Sequence, residues 1–189
     1  MLNIGICYNK KDFEYDVYSL VRAFYPQSQV TTYYVDEEHT GEYPLLFLVT
    51  YEDDHIELEI REDGEKVLEN TVEIAYEEDR KETKNALKNL IYGSLQTLTG
   101  KSLPWGNLTG IRPTKIAYGM LEQGMSEEDI VQTLADTHYV SEEKSLLSIY
   151  IAKREKFCVS NFAFCKKFLQ LIKIGGYKWN FVKIQLVKF

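Results

Sequence analysis

Three strand-like runs separated by acidic turns, the second a strict period-two alternation, constrain this chain's fold more than any other feature. "PLLFLVTYE" (Pro44 to Glu52) and "HIELEIRE" (His55 to Glu62) are joined by Asp53 and Asp54, and "EKVLENTVEIAY" (Glu65 to Tyr76) follows Asp63 and Gly64. In the second run Ile56, Leu58 and Ile60 alternate with Glu57, Glu59 and Arg61, which makes one face apolar and the other charged. Asp-Gly is a strong hairpin signal, because both central residues of a type I′ turn need positive φ. The expectation is an antiparallel β-meander with one buried face and one wet face.

The flanks are read from their own periods. Leu2 to Tyr8 is a short β-rich run, and Val30 to Val35 is another. Between them Phe13, Val17, Leu20, Val21 and Phe24 fall on one helical stripe, with Asp12 as the expected cap and Tyr25-Pro26 as the stop. From Glu77 the period becomes 3.6: Leu87, Leu90, Ile91, Leu95 and Leu98 line one side of a long helix that Gly100 closes. Three shorter helices follow, the first entered at Pro113 and running to Gly124, the second capped by Ser126 and the third by Ser141. The expected class is α+β, an antiparallel β-meander with two packed helices followed by a small three-helix subdomain. The expected boundaries are 1–100 for the α+β unit, 101–156 for the helical unit and 157–189 for a tail.

Charge divides the 189-residue chain unevenly. Residues 1–156 carry all 29 acidic and 16 of the 22 basic residues, a net of −13, whereas residues 157–189 carry six lysines and no acid. An acidic body argues against nucleic acid, whose binding rests on Lys and Arg neutralising phosphates. The paired helices from Ser126 and Ser141 have helix-turn-helix proportions, yet Glu142 and Glu143 stand where a recognition helix offers basic groups. Cys7, Cys158 and Cys165 are too widely spaced for a disulfide framework or a zinc site, and His39, His55 and His138 are scattered. The amino terminus reads as neither a secretory signal nor a membrane span, so the expected location is cytoplasmic. The acidic runs read as solvated faces, and no catalytic or metal role is expected of them.

One stretch, "LPWGNLTGIRPTKI" (Leu103 to Ile116), invites a site. A P-loop needs G-x4-G-K-[ST] after a strand, and Gly106 and Gly110 do not meet that spacing. Two readings stay open. Arg112 and Lys115 flank a helix start, where backbone N–H groups and the dipole favour a carboxylate or phosphate. Alternatively the stretch is a rigid corner in which Trp105 packs between helices, the glycines supply unusual φ values and the prolines fix the chain. Trp105, Arg112 and Lys115 are therefore the candidates for an anion or interdomain docking site.

The tail holds six of the nine phenylalanines. Its lysine and aromatic content suits a membrane-surface or partner-binding element, and "FVKIQLVKF" suits a strand. The same abrupt change is also what out-of-frame translation of an A/T-rich gene produces.

The strings "FEYDVYSLVRAFYP", "EEDRKETKNALKNLIY", "LPWGNLTGIRPTKIAYGMLEQGMS" and "VSEEKSLLSIYIAKREK" together resemble the amino-terminal region of HemZ-type oxygen-independent coproporphyrinogen III oxidases (dehydrogenases) of the radical S-adenosylmethionine superfamily. The resemblance covers about residues 1 to 156, and "PWG-x-LTGIRPTK" is its most specific piece. It implies a role in haem and porphyrin biosynthesis. Intact members continue into a barrel whose C-x3-C-x2-C motif holds a [4Fe–4S] cluster that binds S-adenosylmethionine. Cys158 and Cys165 do not match that motif, so no cofactor or metal is carried over. The resemblance implies a truncated, non-catalytic accessory region whose partner is the missing barrel. The alternative is a stand-alone interaction or regulatory module that uses the tail.

Overall fold

The computed structural model describes residues 2–37, 41–75, 79–110 and 112–157. In chain order these form β1 (Asn3–Tyr8), α1 (Glu14–Phe24), β2 (Gln29–Tyr34), β3 (Leu45–Tyr51), β4 (His55–Glu62), β5 (Glu65–Glu73), α2 (Arg80–Thr99), α3 (Pro113–Glu122) and α4 (Glu127–His138). A fifth helix, α5, occupies 142–157. The class is α+β, as expected. The readings placed on the tail fall outside the described residues.

The five strands form one sheet in the order β2-β1-β3-β4-β5. Strands β3 to β5 are the expected antiparallel meander. Asp63 and Gly64 supply its second turn at φ 49 and 87. The first closes with the Glu52 N–H donating to the His55 carbonyl at 2.9 Å. The sheet adds a feature to that meander: β1 sits centrally, parallel to both β2 and β3. A parallel pair needs a crossover, and α1 is the crossover between β1 and β2. Central placement explains why five of the six β1 residues are buried.

One face of the sheet is covered by α1 and α2. Ile4, Ile6, Phe47, Val49, Ile56, Leu58 and Ile60 meet Val17, Leu20, Leu87 and Ile91 in one cluster, and the Phe24 and Tyr92 rings join the two helices edge to face at 5.4 Å. Each fully buried aliphatic side chain of this kind contributes about 2 kcal/mol. The α3–α5 half has its own smaller cluster of Leu108, Ala117, Ile130, Leu134, Val140, Ile149 and Ala152.

The caps follow the sequence with one correction. Ser126 accepts from the Asp129 N–H and donates back to its carboxylate, and Gly100 closes α2 at φ 66. Asp79 caps α2 by accepting from the Lys81 and Glu82 amides. Asp12 does not cap α1. Phe13 takes that position at φ 53 and offers no side-chain acceptor, while the Asp12 carboxylate lies 2.7 Å from the Arg80 guanidinium. The opposite charge on the first turn of α2 draws Asp12 away, and Arg80 also stacks over the Phe13 ring at 4.6 Å.

Candidate functional site

The stretch between α2 and α3 begins with a turn: the Gly106 N–H donates to the Leu103 carbonyl and the Leu108 N–H to the Trp105 carbonyl. Its outer bonds reach both halves of the molecule. Toward the sheet half, the Leu103 N–H donates to the Tyr92 hydroxyl at 3.1 Å. Toward the helical half, the Asn107 N–H donates to the His138 carbonyl at 2.9 Å and the Ser141 N–H to the Pro104 carbonyl at 3.0 Å. Gly106 has φ 54, and a Cβ there would stand 1.8 Å from the His138 carbonyl oxygen. No side chain fits that approach.

Polar side chains extend the joint inward. Asn107 is buried, donates through Nδ2 to Asn89 of α2, and sets its Oδ1 3.1 Å from His138 Nδ1. An amide oxygen only accepts, so His138 carries its proton on Nδ1. Burial, and then the Lys88 charge, hold the His138 imidazole below its ordinary pKa. Lys88 is itself buried, with Nζ 3.4 Å from the Thr109 carbonyl and 4.0 Å from the Asp16 carboxylate. Its burial lowers its pKa, against the opposing pull of Asp16. Ser19 on α1 hydrogen-bonds Thr109, and the Tyr92 and Tyr139 rings stack at 4.8 Å across the same boundary. Two helices of one half and the α4–α5 junction of the other are thus fastened by one loop and by the Tyr92–Tyr139 stack.

The candidates occupy different parts of this joint. Trp105 is half-buried against the helical cluster, with Lys144 Nζ 5.9 Å from its ring centre. Arg112 is the N-cap residue of α3, makes no side-chain cap, and lies 3.6 Å from Glu155 of α5 while remaining 66% exposed. Lys115 is exposed in the first turn, which contains no acidic residue. Between them Thr114 is buried, and its hydroxyl has no partner among the described residues. The α3 start therefore gathers two cations at the positive end of a helix dipole, an arrangement that an external anion relieves.

The sequence reading missed the buried Lys88, Asp16 and Asn107 and the half-buried His138. A signal existed for the first two: each stands on the apolar stripe of its helix, Asp16 four residues before Leu20 and Lys88 three before Ile91. It also missed an open cleft of about 650 Å³ where α1 and α2 begin, lined by Phe13, Tyr15, Arg80, Lys81 and Lys84 among others. Its cations Arg80 and Lys84 are ion-paired to Asp12 and Asp16.

On the other face of the sheet Glu57, Glu59 and Glu69 bring carboxylate oxygens within 4.8 Å of one another. Lys66 and Arg61 pair with Glu69 and Glu59, and Glu57, hydrogen-bonded to Glu69, has a raised pKa. Two basic side chains thus partner this acidic cluster on a wet face. Among the described residues the cysteine is Cys7, a buried thiol pushed up by its burial and by Glu37. An iron–sulfur cluster is held by several thiolates, and one buried cysteine does not supply them, so the described residues do not fit such a cluster. No helix among them is long and apolar enough to cross a membrane.

Fold and joint define an α+β protein whose sheet and helical halves meet at a glycine-dependent corner. The chain is 27% identical over 142 residues to the oxygen-independent coproporphyrinogen-III oxidase-like protein HemZ of Bacillus subtilis (strain 168). The aligned part is 72% of this chain and 28% of that protein, which makes the relationship distant and partial. No protein-family model matches the chain. No solved structure matches it.

Proposed function

We propose that this chain is the amino-terminal accessory region of a HemZ-like radical SAM coproporphyrinogen III dehydrogenase, acting in haem biosynthesis without catalytic machinery of its own. Residues 1–100 and 101–156 form its two structural units in this reading, and its partner is the cluster-bearing catalytic body. The observation that carries the reading is the start of α3. Arg112 and Lys115 stand exposed on a corner that is fixed to both halves, at an uncapped helix end. A rigid cationic corner suits docking to acidic groups of the catalytic body, or contact with a carboxylate of a porphyrinogen substrate. Trp105 serves the corner by packing it against the helical half. The similarity to the B. subtilis protein supports the family part of the reading.

A chimaera tests it. Residues 1–157 of this chain replace the aligned part of the B. subtilis protein, and turnover is compared with the same chimaera carrying Arg112→Gln and Lys115→Gln. The expected result is an active chimaera whose kcat/KM falls by roughly fivefold or more in the double variant. Equal turnover and equally firm attachment in both chimaeras overturns the role of the corner.

A further inference from the structure

Helix α5 is apolar on two sides. Its inner side, Ser145, Ser148, Ile149 and Ala152, is buried in the helical half. Its outer side presents Leu146, Leu147, Tyr150 and Phe157 with exposures of 46, 40, 52 and 70%. Positions 143, 147, 150, 154 and 157 step by alternating fours and threes, which is the spacing of the seam of a two-stranded coiled coil. A seam of this kind on a surface helix is a partner surface.

The charges along the seam say what the partner is. Glu143 stands at one end, 84% exposed and 3.0 Å from the neighbouring Lys144 ammonium, and Arg154 stands at the other, stacked over Tyr150 at 4.5 Å. The apolar residues lie between them. An antiparallel copy of the same helix, related by a two-fold axis passing between Ser148 and Ile149, sets Leu147 opposite Tyr150 and Glu143 opposite Arg154, twice over. The surface is therefore self-complementary, as an isologous interface must be. A parallel copy instead sets Glu143 against Glu143 and Arg154 against Arg154. Beyond the seam, a groove of about 660 Å³ between α4 and α5 is lined by Val131 and Leu146 and by Glu127, Glu128 and Glu142, of which Glu127 pairs with Lys153. The two-fold brings the basic end of the second helix, with Arg154, Lys156 and Phe157, over this acidic groove.

We propose that the outer face of α5 binds a second copy of this chain in an antiparallel helix pair centred on Leu147 and Tyr150. This proposal does not rest on the HemZ-like reading. Sedimentation velocity of the full 189-residue chain under reducing conditions, over roughly 1 to 200 µM, is the test. The wild type sediments as a dimer in this range. Glu143→Arg and Arg154→Glu each weaken the dimer about tenfold or more, and the double variant returns to within about threefold of wild type. Leu147→Glu, at an exposed position, gives a monomer with an unchanged far-UV circular dichroism spectrum. A wild type that stays monomeric to the top of the range overturns the proposal. So does a dimer that ignores both charge reversals, since it forms elsewhere on the chain. Failure of the double variant to recover overturns the antiparallel register.

Discussion

Among the described residues the sheet half buries eighteen apolar side chains in one cluster, among them Phe24, Phe47, Tyr51 and Tyr92, whereas the helical half buries seven, two of them alanines. The helical half also leaves the hydroxyls of Thr114, Ser145 and Ser148 without partners among the described residues. Buried apolar area is the main favourable term in folding, and unpaired buried hydroxyls subtract from it. The sheet half therefore supplies its own stability. The helical half borrows from it through the Leu103–Gly110 joint, where Gly106, Asn107 and Thr109 make their bonds. A corner that looked like a ligand loop in the sequence is, in the first instance, the fastening between a strong unit and a weak one.

Changes at the joint and in the two cores separate these contributions. Gly106→Ala forces a Cβ into the His138 carbonyl at positive φ, and is expected to destabilise the molecule by more than about 4 kcal/mol in urea unfolding. Phe47→Ala, in the sheet core, is expected to cost about 4 kcal/mol, and Leu134→Ala, in the thinner helical core, about 2 to 3. Equal costs for the two contradict the contrast drawn between the cores.

A pH titration of stability reads the joint directly. The folded pKa of His138 lies below its ordinary 6.5, so the unfolded chain binds the extra proton first as pH falls. Stability from this residue is complete above pH 6.5 and declines as pH drops below it, and His138→Gln removes that part of the slope. Arg112→Ala has the smallest expected effect. Its guanidinium is 66% exposed and its pairing with Glu155 is long, so unfolding shifts by less than about 0.5 kcal/mol. A loss of turnover on changing Arg112 in the chimaera is then a loss of contact with a partner or substrate.

Local chemistry made much of this fold readable. Alternation gave β4, an apolar run before the Asp53-Asp54 turn gave β3, Asp63-Gly64 gave the turn between β4 and β5, and Ser126 and Gly100 gave helix ends, because each depends on residues a few positions apart. The central, parallel place of β1 was not readable. A short apolar run fits many sheet positions, and which neighbours it takes depends on where α1 returns the chain. Asp12 was misplaced as a cap because its partner, Arg80, lies on another helix. At the candidate site, Pro113 marked the helix start and thereby placed Arg112 and Lys115 together. That Gly106 must be glycine depends on His138, and the burial of Asn107 depends on Asn89 and His138, so neither was visible in the local sequence. The outer seam of α5 was in the sequence throughout, but only the buried inner face shows that residues 143, 147, 150, 154 and 157 are left over.

Hydrogen exchange on the wild type and on Gly106→Ala, read peptide by peptide by mass spectrometry, addresses the dependence of the weak half on the joint. The expected result is that peptides from α3, α4 and α5 lose most of their protection in the variant, while those from β1, β3 and β4 retain theirs. Loss of protection spread evenly over both halves, or protection in the helices equal to wild type, contradicts the claim that the joint holds the helical half in place.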